Sequence, residues 1–227
     1  MRWPVMLFAA GFGARMRHLT ADRPKPMVEV GGRPLIDYAV DLARDLPAAT
    51  VVANLHYKPD ALQQHLTALD VQTILETPDI LETGGGLRNA LPRLGAKTVM
   101  TLNTDAVWGG SNPLKQLSEQ WKPDRMDGLL MCIPPDRAVG YQRGGNFLID
   151  PRGRITRGPG LIYGGAQIIK TDRLSEIQTQ VFSLNVLWDM LIAENSLYSA
   201  VYDGDWCDVG HPEGIPLAEA VIEGRNV

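Results

Sequence analysis

Ala9-Ala10-Gly11-Phe12-Gly13-Ala14-Arg15-Met16-Arg17, preceded by Val5-Met6-Leu7-Phe8 and followed by Arg23-Pro24-Lys25-Pro26-Met27, decides how the rest of the chain reads. Val5 to Phe8 is a short apolar run of the kind that forms a buried strand. A strand running into a glycine-rich turn leaves backbone N–H groups free to point at an anion. Gly11 and Gly13 permit positive φ and close approach of a ligand. Arg15 adds a planar fork and Lys25 a point charge, a combination that suits a polyphosphate. Pro24 and Pro26 restrict the chain on either side of Lys25 and push it toward an extended conformation, so its ammonium is aimed.

Two other phosphate loops are excluded. A Walker A loop ends in Gly-Lys-Ser/Thr, which is missing here, and a dinucleotide fingerprint needs glycine where Met16 stands. The composition narrows the field further. The chain has 227 residues, is 44% hydrophobic and 21% charged, and carries a net charge of -4. That suits a globular α/β protein of ordinary size and argues against a broad nucleic-acid-binding surface. An acidic protein that handles phosphates must concentrate its cations locally or use a metal. No apolar run long enough to span a membrane and no signal peptide pattern is present, so the expected location is the cytoplasm. Two cysteines, Cys132 and Cys207, make neither a disulfide framework nor a zinc site.

Beyond the loop, helical and strand patterns alternate. Helices are expected at 34–43, 59–69, 84–91 and 113–121, and strands at 50–55, 71–75, 98–103 and 127–133. This predicts a Rossmann-like α/β fold, a mixed but mostly parallel sheet with helices on both faces. After Pro134-Pro135 the pattern changes to a hairpin over 146–155, a strand at 161–169, a helix at 183–194 capped by Ser183, and a strand at 197–202. A single domain is expected: 1–133 as its nucleotide-binding part, 134–211 as an antiparallel sugar-side part, and 212–227 as a closing helical segment. No appended repeat domain is expected.

The pattern Gly-x-Gly-x-Arg followed by Pro-Lys-Pro resembles the signature of the sugar-1-phosphate nucleotidyltransferases, which join an NTP to a sugar 1-phosphate and release pyrophosphate. The likeness extends over nearly the whole chain and implies a glycosyltransferase-A-like fold. Within the family it is nearest the uridylyltransferases of bacterial wall recycling, which points to UTP and N-acetylmuramate 1-phosphate. His18 departs from the family pattern, which usually has proline there. The resemblance assigns Arg15 and Lys25 catalytic roles and puts the NTP against Ala9, Ala10, Gly11, Phe12 and Gly13. It puts the nucleobase against Glu82-Thr83-Gly84-Gly85-Gly86, read by backbone groups near Gly85, with Asn54 close by.

Asp105 follows the strand at 98–103, where open α/β sheets bind ligands. The resemblance pairs it with the distant Asp208 as holders of one Mg²⁺, an ion that takes one or two carboxylates besides phosphates and water. Thr104 replaces the glycine often found before the metal aspartate. Asn103, Asn146 and Gly165 are expected on the sugar side, with Asn146 where the recycling enzymes have Asp. Trp206 is open between stacking on the sugar and a core position. None of the four histidines has ligand spacing, and His65 is expected to be solvated. The expected partners are the two substrates, with no nucleic acid and no membrane, in a monomer or homodimer. Other branches of the family, with GTP or CTP, and a non-catalytic nucleotide-sugar sensor are the competing readings.

Overall fold

The computed structural model describes residues 2–225; Met1 and the end of the expected closing segment, Asn226 and Val227, lie outside the described residues. The chain begins with β1 (Trp3–Phe8), the short β2 (Glu29–Val30) and β3 (Arg33–Pro34), and α1 (Leu35–Arg44). β4 (Ala48–Leu55), α2 (Pro59–Ala68), β5 (Gln72–Leu75), α3 (Glu82–Leu94) and β6 (Thr98–Asn103) follow in alternation. Next come β7 (Ala106–Gly109), α4 (Pro113–Gln120), β8 (Gly128–Ile133), β9 (Ala138–Val139), β10 (Phe147–Ile149) and β11 (Ile155–Arg157). The last elements are β12 (Ile162–Lys170), α5 (Leu184–Ala193), β13 (Leu197–Val201), β14 (Asp205–Asp208) and α6 (Gly214–Ile222).

Seven strands form the central sheet in the order β13-β8-β12-β6-β1-β4-β5. β12 is antiparallel to both of its neighbours, and the other six strands run in one direction. This is the mixed, mostly parallel α/β fold that the alternation predicts. Within 134–211, β12 and β13 belong to the central sheet itself, and β13 pairs parallel with β8. Antiparallel pairing in that segment is made by β12, by the β10–β11 hairpin and by β14, which runs antiparallel to β7. Gly153, at φ +83, turns the hairpin, and Asp150 accepts the N–H groups of Arg152 and Arg154 inside it.

Alternation along β1 feeds two cores. Val5 and Leu7 pack with Ile36, Val40, Leu62 and Leu114 on one face, while Met6 packs with Leu87, Leu94 and Leu187 on the other. Apolar residues on both faces of a strand are what a sheet covered by helices on each side requires. A third cluster joins Met16, Val30, Leu35, Val107, Cys207, Val209 and Val221. It lies under a separate three-stranded sheet, β7-β14-β9, which the sequence patterns did not predict. This cluster anchors the glycine loop, through Met16, to the strand that ends in Asp208. Both thiols are buried in the cores, and burial pushes each up to about 12, which leaves them inert.

Candidate nucleotide and sugar-phosphate site

β1 lies between β4 and β6, so the chain reverses its direction of sheet growth there. A crevice opens at the carboxyl ends of the strands, as expected at such a switch point. Asn54, Phe8 and Asn103 stand side by side across these three strand ends. Ala9 and Ala10 continue from β1 and are buried. The Ala9 N–H donates to Asn54 Oδ1 at 2.8 Å, and Asn54 Nδ2 donates to Glu76 Oε1 at 2.7 Å. Glu76 is 1% exposed, and its other oxygen accepts the Leu81 N–H at 2.7 Å. A buried amide–carboxylate pair therefore ties the glycine loop to the entrance of α3.

Gly13 is left-handed at φ +65, and a Cβ on it would lie 2.7 Å from Lys25 Cβ. Glycine is needed there for both reasons. Gly11, by contrast, is not left-handed, and a Cβ on it would meet nothing. Lys25 opens a 3-10 turn over Lys25–Met27 instead of lying extended; the extended residue is Pro24. The turn is closed by the Val28 N–H on the Lys25 carbonyl at 3.0 Å. The Lys25 side chain is buried beneath Gly13, and its Nζ reaches Asp105 Oδ2 at 2.8 Å.

Asp208 is brought to Asp105 by the ladder between β7 and β14. Asp208 pairs with Ala106, and the Val209 N–H donates to the Asp105 carbonyl at 2.9 Å. Burial raises the Asp105 pKa, but the Lys25 charge and hydrogen bond outweigh it and hold the carboxyl below its ordinary value. Asp208 is pushed up, first by burial and then by the charge of Asp105. Among the described residues no hydrogen bond or ion pair engages its carboxylate. Arg15 stands over this corner, with Nη1 3.4 Å from His211 Nε2 and 3.0 Å from the Cβ position of Gly210. Lys25 is paired with Asp105, and the Lys25 and Arg15 charges both act on the two carboxylates, so the Asp208 carboxylate is the group here left without a direct partner among the described residues. Among the described residues no third His, Cys, Asp or Glu joins the two aspartates.

The crevice is a cleft of about 380 Å³, whose walls include Ala9–Phe12, Lys25, Asn54, Glu82, Thr83 and Asp105. The expected base loop differs from the sequence reading. α3 starts at Glu82, and the Gly84 and Gly85 N–H groups both donate to the Phe182 carbonyl, at 2.9 and 3.1 Å. Gly84 and Gly85 are packed against Phe182 and Gln180, so Glu82 and Thr83 are the loop residues that face the cleft. A Cβ on Gly86 would lie 2.6 Å from Glu76 Oε1, which explains the third glycine.

A model of the MobA-like NTP transferase domain matches residues 5–200. The chain is also 34% identical to an N-acetylmuramate alpha-1-phosphate uridylyltransferase of Caulobacter vibrioides, over 95% of both chains. The chain belongs to the MobA-like NTP transferase family. A second uridylyltransferase of that name, from Neisseria meningitidis, is 26% identical over 90% of this chain and 92% of its own length. Mannose-1-phosphate guanylyltransferase 1 of Arabidopsis thaliana is 25% identical, and the match spans 61% of that longer protein. The crystal structure of HddC from Yersinia pseudotuberculosis complexed with GMP-PN superposes with TM-score 0.77 at 23% identity, covering 96% of this chain and 98% of that one. The inositol-1-phosphate CTP transferase of T. maritima superposes with TM-score 0.76 at 16% identity, over 98% and 97%. At these identities the two structures speak for the fold.

In this nucleotidyltransferase a second cleft, of about 280 Å³, adjoins the first and shares Phe8, Thr83 and Asn103 with it. Asn146 lines it and accepts the Tyr163 N–H at 3.1 Å. Gly165, at φ +94, leaves room for the Asn103 side chain, whose Cβ would otherwise be 2.8 Å from a Cβ there. Trp206 is a core residue, 5% exposed, and the aromatic walls of the cleft are Phe8, Tyr141, Phe147, Tyr163 and Trp188. Thr104 turns its hydroxyl inward to the Phe8 carbonyl at 2.8 Å. His65 is paired with Asp37 at 2.6 Å and links α2 to α1, so it is not simply solvated. Sequence reading missed Glu76, Trp188, Asn185 and Arg157. None of them stands in a motif; strand pairing brings Glu76 and Arg157 to the site, and the packing of α5 brings Asn185 and Trp188.

Proposed function

We propose that this chain joins UTP and N-acetylmuramate 1-phosphate to give the UDP-sugar and pyrophosphate, with Mg²⁺, as a single-domain cytoplasmic enzyme, monomeric or homodimeric. The observation that carries this reading is the buried Lys25 ammonium, held under Gly13 and against Asp105 at the mouth of the strand-end cleft. A sugar phosphate oxygen attacks the α-phosphorus of UTP. The bond to the bridging oxygen breaks, and pyrophosphate leaves with that electron pair. A phosphate monoester has a second pKa near ~6, so the nucleophile is already ionised and needs no general base. This agrees with a cleft whose charged walls are Lys25, Glu82 and Asp105, while His56, at the end of β4, is packed edge-on against Phe12 with Nδ1 at the Glu76 carbonyl.

The protein's task is then to align two anions and neutralise their charge. Lys25 stabilises charge that develops on the α-phosphate. Arg15 and the backbone of Gly11 to Gly13 hold the β- and γ-phosphates. Asn54, through Ala9, fixes the start of that loop. Asp105 and Asp208 would hold Mg²⁺, which supplies positive charge to the phosphates when bound. Gly84 and Gly85 act from beneath, by setting the position of Glu82 and Thr83 beside the base. Asn103, Asn146 and Gly165 shape the sugar side.

The UTP assignment is supported by the named activity of the 34% identical relative. Uracil also presents an acceptor–donor–acceptor edge that a backbone segment can match. It is tested by kcat/KM for UTP, GTP, CTP and ATP with one sugar phosphate, read by pyrophosphate release. UTP is expected to lead. A clear GTP preference moves the chain to the guanylyltransferase branch and leaves the roles of Lys25 and the aspartates standing.

A further inference from the structure

Among the described residues Arg157 is the single charged side chain that lines the smaller cleft. It stands on β11 opposite Phe147, with its guanidinium 5.0 Å from the Phe147 ring centre and 5.9 Å from that of Trp188. Stacking of this kind fixes the plane of the fork. Nε donates to Asp189 Oδ1 at 2.9 Å, Nη2 lies 2.8 Å from the same oxygen, and Nη2 also donates to the Asn185 carbonyl at 3.4 Å. Among the described residues Nη1 meets no acceptor. The Asp189 side chain is 62% exposed and that of Arg157 39%, so their ion pair is of the solvated kind that contributes little and yields readily to another carboxylate. Asp189 thus orients the guanidinium without consuming it.

The two clefts share Phe8, Thr83 and Asn103, so one molecule can extend through both. Such a molecule meets the Lys25 charge at one end and the Arg157 charge at the other. Between them lie neutral amides and aromatic walls, which suit a sugar ring. We propose that Arg157 binds a carboxylate carried on the sugar of the acceptor, so that the substrate class is a hexose 1-phosphate with a second anionic group. This rests on the nucleotidyltransferase reading above, and N-acetylmuramate 1-phosphate, with its lactyl ether, falls in that class.

The test compares N-acetylmuramate 1-phosphate with N-acetylglucosamine 1-phosphate, which lacks the lactyl group. Binding is measured by calorimetry in Mg²⁺, with and without a non-hydrolysable UTP analogue, for the unaltered protein, Arg157→Gln and Arg157→Lys. The unaltered protein is expected to prefer the carboxylated sugar by about 10²-fold, the scale on which a charged ligand group depends on its partner. Arg157→Gln is expected to abolish that preference, and Arg157→Lys to retain part of it. Arg157→Lys keeps a long apolar stem against Phe147, so that variant carries the test if the glutamine variant melts early. Absence of a preference in the unaltered protein overturns the proposal. So does an equal loss for both sugars in Arg157→Gln, which would make Arg157 a contact of the 1-phosphate. Pyrophosphate release is followed in parallel with all four NTPs. Preference without release removes the proposed reaction and leaves the Arg157 assignment standing; release without preference does the reverse.

Discussion

Replacing Asn54 by alanine separates the positioning of the glycine loop from the proposed chemistry. Asn54 is 3% exposed and makes two short hydrogen bonds, to the Ala9 N–H at 2.8 Å and to Glu76 Oε1 at 2.7 Å. In Asn54→Ala the buried Ala9 N–H loses its acceptor, at about 1–3 kcal/mol for an unsatisfied group. The Glu76 carboxylate loses one of its two donors, and hydrogen bonds to charged groups are worth about 1.5–3 kcal/mol. Glu76 keeps the Leu81 N–H, and water from the adjoining cleft can enter the vacated space. The expected loss is therefore near the lower bound, about 2.5 kcal/mol. For a chain of this size that lowers Tm by about 5–10 °C. Urea unfolding measures the loss directly. The nucleotide KM is expected to rise more than kcat falls, because Ala9 touches the cleft while Lys25 is untouched. A double variant with Glu76→Gln should recover part of the stability, since a neutral amide replaces the buried carboxylate while its oxygen can still accept the Leu81 N–H. A loss under about 1 kcal/mol, the low end for one unsatisfied group, or strict additivity of the two substitutions, would refute the reasoning.

Lys25→Ala is expected to fold and to lower kcat by on the order of 10²-fold or more, as loss of a donor aimed at transition-state charge does; near-normal turnover at saturating substrates would remove Lys25 from the chemistry. Asp105→Asn and Asp208→Asn are both expected to cripple activity, and excess EDTA to abolish it, with steady-state turnover as the check. The stability of Asp208→Asn should move the other way. Its raised pKa means that the folded protein holds the proton more tightly than the unfolded chain does, so stability falls as pH rises from the ordinary value of 3.8 through the higher folded value. The neutral amide escapes that penalty, so at neutral pH without divalent ions Asp208→Asn should melt higher than the unaltered protein. Asp105, with its lowered pKa, contributes stability above 3.8 that is lost below it, so Asp105→Asn should melt lower.

The fold class and the glycine loop that follows β1 could be read from the chain alone. Helix and strand periods are local properties, and the alternation up to Ile133 specifies helices on both faces of a mostly parallel sheet. The Gly13 requirement is likewise local in its backbone, and Pro24 and Pro26 mark the place where Lys25 is fixed. The Ser183 cap reads directly from its hydroxyl, which accepts the Asn185 N–H. Only the tertiary structure decided which distant residues meet. Asp208 reaches Asp105 because β14 pairs with β7, two strands too short and irregular to leave a period in the sequence. Gly84 and Gly85 looked like an open loop, yet Phe182 takes both of their N–H groups from a segment far along the chain. Glu76 and Arg157 carried no signal, because a lone charge on a strand end or hairpin gains its meaning from what is packed against it. Local spacing encodes elements, whereas a site at strand ends is assembled by pairings between segments far apart in the chain.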